Sequence, residues 1–279
     1  MPYTGKEKCL EEFAENSSGN KAKNKRALSL IRYADDFVIL HKDVKVLLKA
    51  KTVIQEWLNQ VGLELKPEKT KIAHTLEEYE GNKPGFDFLG FTVRQWKVKT
   101  TKQGFKTLIK PSINSMKSQY KKMAEIFDVM KAVPTKVLIA KLNPIIRGWS
   151  NYFSTVVSKE AFIKIDNLLW KRLGRWANRR HSNKSAAWVK SKYFPALGSR
   201  NWILNDGEYV LNQHSNVSIV RHVKVKGNNS PYNGDWTYWG NRLGKYPGIR
   251  KEVTTLLKRQ KGKCAHCGNY LHCRRPNGK

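Results

Sequence analysis

The sequence predicts an α+β fold in which a small strand-and-helix unit precedes a longer helical region and a small irregular C-terminal region. Three observations carry that reading. Two short apolar runs, Leu28–Ile31 and Phe37–Leu40, flank Asp35-Asp36 as two strands flank a tight turn. From Ser112 the apolar residues recur at helical spacing. Residues 205–248 lose both periods and become rich in Gly, Asn, Pro and aromatics.

Residues 1–26 are polar, with Ser17-Ser18-Gly19-Asn20 and a basic run from Lys21 to Arg26, and read as a loop or frayed start. The hairpin follows, with Asp35 and Asp36 at its tip. Asp43 can then cap a helix, whose apolar spacing is kept by Val44, Leu47, Leu48, Ile54, Trp57, Leu58 and Val61, and Gly62 ends it. Leu63-Glu64-Leu65 alternates like a strand before Pro67, and Lys71–Leu76 has strand character. Gly85–Phe91 reads as a further strand, packed through Phe86, Phe88 and Phe91. In the helical region Ile113, Met116, Tyr120, Met123 and Phe127 share one face, with Lys117, Lys121 and Lys122 off it. Ser158 or Lys159-Glu160 can open a later helix, whose stripe is Phe162, Ile165, Leu169, Leu173 and Trp176.

The chain has 279 residues and is 40% apolar, enough for real cores and against wholesale disorder. Its net charge is +31, distributed as +4 over residues 1–100, +17 over 101–200 and +10 over 201–279. That excess calls for a polyanionic partner, most simply nucleic acid, bound downstream of the nearly balanced first hundred residues. Nine Trp and a carboxylate hairpin suit a ribosomal or chromatin-like basic protein poorly. No run approaches the roughly 20 apolar residues of a membrane span, and Met1 to Asn20 lacks a signal-peptide core. The expectation is an intracellular protein, in a bacterial cytoplasm or an organelle, with no membrane partner. Cys9, Cys264, Cys267 and Cys273 do not make a disulfide framework.

Three groups of residues carry chemistry. Asp35 and Asp36 are the candidate catalytic pair. Adjacent like charges between buried strands are costly unless a cation neutralises them. Mg²⁺ fits, because it takes one or two carboxylates plus substrate phosphate oxygens, and two such ions activate an attacking hydroxyl and steady a leaving group. The second group is basic. Lys164, Lys171 and Arg175 fall on one helix face, with Arg172 and Arg179 beside them and Arg180 following. Only Asp166 offsets them between Ala161 and Arg180. Unbalanced cations along a helix repel one another unless phosphates lie against them. With Lys69, Lys117, Lys121 and Arg147 they form the candidate RNA-contact set. The third group is Cys264-Ala265-His266-Cys267, spaced as half of a Zn²⁺ site. His266, His272 or Cys273 would have to supply the missing ligands.

Tyr33-Ala34-Asp35-Asp36 between its apolar runs resembles the Tyr-X-Asp-Asp hairpin of reverse transcriptases, in the form common in group II intron proteins. Leu65-Lys66-Pro67-Glu68-Lys69-Thr70-Lys71 and Phe88-Leu89-Gly90-Phe91 strengthen the likeness. Arg147-Gly148-Trp149-Ser150-Asn151-Tyr152 resembles the core of the group II intron maturase domain, and Arg179-Arg180-His181 with Lys184, Trp188 and Tyr193-Phe194 continues it. The resemblance implies a partial reverse-transcriptase palm over 27–100, a thumb-like helical segment over 101–130 and a maturase-specific helical domain over 131–204. A DNA-binding-like linker over 205–255 and a truncated HNH nuclease or zinc-knuckle fragment over 256–279 follow, behind the polar segment 1–26.

The family implies Mg²⁺, intron RNA, and a DNA target or primer as cofactor and partners. Its palm uses three carboxylates, one from a strand upstream of the hairpin, together with fingers and a Pro-Gln-Gly turn. The acids before Asp35 are Glu7, Glu11, Glu12 and Glu15, in a segment without strand pattern. Two readings follow. One is an RNA-directed DNA polymerase and maturase, needing a complementing N-terminal fragment. The other is a non-catalytic, basic, RNA-binding maturase remnant.

Overall fold

The computed structural model describes residues 27–196, 198, 201–220, 225, 229, 238, 242 and 251–269. The segment 1–26, most of the Gly- and Asn-rich stretch after 220, and His272 and Cys273 lie outside these residues. The chain divides into two compact units, Met1–Ser115 and Met116–Lys279.

In the first unit β1 (Ser29–Tyr33) and β2 (Asp36–Leu40) pair antiparallel, with Leu30 opposite Ile39, Ile31 opposite Val38 and Tyr33 opposite Asp36. Directly opposed residues share a face, so Leu30, Ile39 and Phe37 lie together. They pack against Ala50 and Ile54 of helix α1 (Val44–Gln60). Asp43 caps α1 as expected, its Oδ1 accepting the Lys45 amide at 2.9 Å. The helix stops as the sequence indicates: Gly62 takes a positive φ, its amide donates to the Asn59 carbonyl, and the Leu63 amide donates to the Leu58 carbonyl. That is the paired closure that a left-handed glycine permits. Leu48 and Val61, expected on the buried stripe, are exposed.

A second sheet orders β3 (Phe86–Phe88), β4 (Phe91–Lys97) and β5 (Phe105–Pro111), all antiparallel. The single strand expected over Gly85–Phe91 is therefore two strands and a turn. Leu89 and Gly90 both have positive φ, as a two-residue hairpin loop requires, and Phe88 faces Phe91 across it. Lys71–Leu76 is not a strand. The His74 and Thr75 carbonyls accept from the Gly85 and Gln95 amides without building a ladder. Leu63–Leu65 is not a strand either, and the chain turns at once through Lys66–Thr70. Residues 105–111, at the start of the expected helical thumb, form β5 instead.

The second unit is helical: α2 (Ile113–Val129, entered from the end of the first unit), α3 (Thr135–Phe153), α4 (Lys159–Arg180) and α5 (Ala186–Tyr193). Helical periodicity brings Met123 and Phe127 together with Leu138, Ile139, Leu142 and Ile146. The α4 residues Ile165, Leu169, Leu173 and Trp176 complete the cluster as their spacing indicated, and Phe162 is buried with them. Ile113, expected on the apolar face of α2, is 70% exposed, because it lies one turn outside that core. Leu204 and Leu211 close the cluster from a small turn in which Asn205 bridges Val210. The boundary drawn at residue 205 thus falls inside packed structure. A short helix, α6 (Lys251–Arg259), precedes Cys264. No helix among the described residues is long and apolar enough to cross a membrane.

Candidate nucleic-acid interface and carboxylate hairpin

Asp35 and Asp36 sit at the hairpin tip, both exposed. The loop is Ala34-Asp35, and Ala34 carries a positive φ of 53° while Asp35 does not. A non-glycine residue there is strained, and such strain concentrates at functional turns. Arg32 Nε donates to the Ala34 carbonyl at 2.7 Å and fixes the turn from outside. Asp36 pairs with Tyr33 on the face that α1 does not cover, beside Ile31. Tyr33 is 65% and Ile31 49% exposed. A carboxylate is thus presented on an open, partly apolar surface. Two neighbouring acids suit one Mg²⁺ that also takes substrate phosphate oxygens. Among the described residues no group of three metal-binding side chains gathers.

The basic residues divide sharply. Lys164, Lys171, Arg175 and Arg179 are exposed along one side of α4. Asp166, the one acid between Ala161 and Arg180, is two residues from Lys164 and so points to the other side. There its carboxylate accepts from the His214 amide at 2.9 Å, His214 Nδ1 at 2.7 Å and the Ser215 amide at 2.9 Å. Burial alone would raise the Asp166 carboxyl, but these bonds from His214 and Ser215 prevail and hold it below the usual range. The acid is spent inside the unit, and the cationic side keeps its charge.

Arg172 and Arg180 do different work. Arg172 pairs with Asp128 of α2. Arg180 donates to the Val133 carbonyl and stacks over Trp176, whose Nε1 donates to the Met130 carbonyl at 2.9 Å. Both pin the connection between α2 and α3. Lys117 and Lys121 are exposed on α2, and Lys69 on the turn after α1. Arg147 lies with Gly148, Asn151 and Tyr152 on the outer side of α3, while Trp149 and Ser150 face inward. Trp149 meets the His214 ring edge-on at 5.6 Å, and the Ser150 hydroxyl donates to the Ile146 carbonyl.

The sequence reading passed over the residues that fasten 205–220. His214 is fully buried, with Nε2 3.2 Å from the Gln119 amide nitrogen. Asn143 donates to the Val210 carbonyl and accepts the Asn212 amide. Lys159 Nζ donates to the Ser215 and Val217 carbonyls. The signal available was His214, one of two histidines in the Gly- and Asn-rich stretch 205–248. At the end of α4, His181 is held below its ordinary pKa, first by partial burial and then by Lys192, Arg180 and Lys184. The crowding of cations there is itself a mark of positive potential.

Cys264 and Cys267 stand in a tight turn. The Cys264 amide donates to the Asn269 carbonyl at 2.7 Å, and the Gly268 amide donates to the Cys264 carbonyl at 2.9 Å. Backbone N–H groups of Cys267 and then His266, aimed at the Cys264 sulfur, lower its thiol pKa. Two cysteines at this spacing are the pattern of half a Zn²⁺ site. The described residues supply these two sulfurs.

The described residues thus combine an acidic hairpin open to solvent with a helical bundle whose outer surface is cationic. The comparisons agree unit by unit. A family model of the reverse transcriptase (RNA-dependent DNA polymerase) matches residues 8–93, and one of the group II intron, maturase-specific domain matches residues 116–194. No curated protein matches the chain. The chain belongs to the group II intron reverse transcriptase/maturase family. Its function is that of this family, binding of intron RNA is implied by both domains, and reverse transcriptases of this kind typically use Mg²⁺.

Proposed function

We propose that the chain holds folded intron RNA against the outer side of α4, through Lys164, Lys171, Arg175 and Arg179, with Arg147, Lys117, Lys121 and Lys69 as further phosphate contacts. The observation that carries this is the inward position of Asp166, which leaves Glu160, in the first turn, as the one acid on the cationic side of α4. With about six phosphate contacts, affinity for intron RNA should fall roughly a thousandfold between 50 and 200 mM salt. Charge reversal of Lys164, Lys171 and Arg175 should weaken filter binding far more than reversal of Lys45, Lys49 and Lys51. Equal losses in the two triple variants would overturn the assignment.

The polymerase half of the family function points to the hairpin. Asp35 and Asp36 would hold Mg²⁺ together with substrate phosphates, and the metal would polarise the reacting phosphoryl group. Tyr33 and Ile31 offer an apolar surface beside Asp36 on which a nucleotide can rest. In this reading a further carboxylate of the palm joins Asp35 and Asp36, and a DNA primer or target is extended on the RNA. Cys264 and Cys267 would bind Zn²⁺ with ligands from the following residues. Residence in a bacterial cytoplasm or an organelle belongs to the same proposal.

A further inference from the structure

We propose that Trp202, Trp170 and Lys190 form a stacking platform for an unpaired base of the bound RNA, an inference that rests on the RNA-binding reading above. Trp202 is 45% and Trp170 43% exposed. Their rings meet edge to face, with centroids 5.8 Å apart and planes at 86°. Lys190 Nζ lies 3.9 Å from the Trp202 ring centroid. Two large indoles left at the surface, side by side, mark a site for a partner.

The backbone sharpens the point. Trp202 has a φ of +68°, in the left-handed region that a bulky side chain rarely adopts. Such a conformation persists only where the surroundings impose it. Here the next residues impose it: Ile203, Leu204 and Asn205 are buried, and Asn205 Nδ2 donates to the Pro195 and Ile203 carbonyls. The chain is locked into the bundle immediately after Trp202, and the indole is turned outward instead of joining the core.

The chemistry of the three side chains selects the occupant. A partner must offer a flat π surface to the indoles and negative charge to Lys190, which no carboxylate pairs with among the described residues. An unpaired nucleotide offers both, whereas a duplex hides its base faces. A second copy of this chain would bring its own charge of +31 against the same surface. Lys190 is on a flexible stem, so it can leave the ring for the adjoining phosphate as a base takes its place. The platform would therefore read single-stranded loops of the RNA, next to a phosphate-binding side of α4 that is indifferent to strandedness.

The test uses the full chain with an unstructured RNA of roughly a dozen nucleotides carrying 2-aminopurine, and the same sequence as a duplex. The wild-type protein should quench the 2-aminopurine of the single strand. Trp202→Ala should weaken single-strand binding by about tenfold and leave duplex binding and thermal melting unchanged. Trp202→Phe should restore most of the loss. Lys190→Ala should lower the salt slope for the single strand by about one. Unchanged single-strand binding by Trp202→Ala, or equal losses on both RNAs, would overturn the platform. So would a change in self-association in place of RNA affinity. If the α4 charge-reversal variant binds RNA like the wild type, the RNA-binding reading fails. If that variant fails to bind while Trp202→Ala is unaffected, the platform alone falls.

Discussion

Among the described residues, sixteen apolar side chains of the helical unit, from α2 to just past α5 and the turn at 204–211, are buried in one cluster, whereas Leu28, Ala50 and Ile54 are the buried members of the cluster under the hairpin. The difference is not one of apolar supply. Ile31, Tyr33, Leu48, Val61 and Leu63 are all large and all exposed in the first unit. A two-stranded sheet can cover one face with a single helix and leaves the other open. The helical unit buries one apolar stripe of each helix in that cluster and leaves Trp170 and Trp202 at the surface beside its exposed charges. The hairpin unit leaves one apolar face open, where Asp36 sits beside Tyr33. One region is closed around its core; the other keeps an apolar face open.

The largest test of that contrast is core truncation. Leu142→Ala removes a fully buried side chain from the centre of the helical cluster and should cost about 3–4 kcal/mol. Ile31→Ala removes a side chain that is already half in water and should shift stability by less than about 0.5 kcal/mol. Urea unfolding of both variants measures this. Comparable losses would mean that the open face of the hairpin is covered by something in the folded chain.

A smaller effect is expected at the clasp that ties 205–220 to the bundle. Asp166→Ala leaves the His214 Nδ1 group and two backbone N–H groups without their acceptor, at a cost of about 3 kcal/mol. Acid should do the same reversibly. The Asp166 carboxyl is depressed in the folded state, so its contribution is present above the ordinary carboxylate pKa of about 3.9 and is lost as pH falls through the lower folded value. Thermal melting followed from pH 6 to pH 2 should show a loss in the wild-type protein that is absent from Asp166→Asn. Parallel curves would remove the clasp from the acid response.

Much of this was legible in the residues, for identifiable reasons. The α4 stripe and the hairpin could be read because period and turn are local properties. The Phe88-Leu89-Gly90-Phe91 turn was missed because four apolar or small residues look like a strand until Gly90 is given its left-handed backbone. Arg172 and Arg180 shared the spacing of the RNA-facing cations, and only Asp128 and Val133, over forty residues away, separated them from that set. His214 and Trp202 could not be ranked from sequence, because their roles depend on contacts with Asp166, Gln119 and Trp170. Long-range pairing is the part that a linear pattern does not carry.

The smallest expected effect lies at the hairpin tip, and it separates strain from packing there. Ala34 holds a positive φ that costs a non-glycine residue about 1 kcal/mol, and glycine would remove that cost while adding unfolded-state freedom of nearly the same size. Ala34→Gly should therefore stabilise the chain by no more than about 0.5 kcal/mol. The Arg32 Nε bond is made to a backbone carbonyl and survives the change. Ala34→Val puts a branched side chain in the same conformation and should be destabilising by more than the glycine gains. Thermal melting gives the sign, and amide hydrogen exchange at Asp36 shows whether the effect is confined to the turn. A loss of stability in Ala34→Gly would mean that the alanine methyl is packed, and the tip would then be a covered surface instead of an open, strained one.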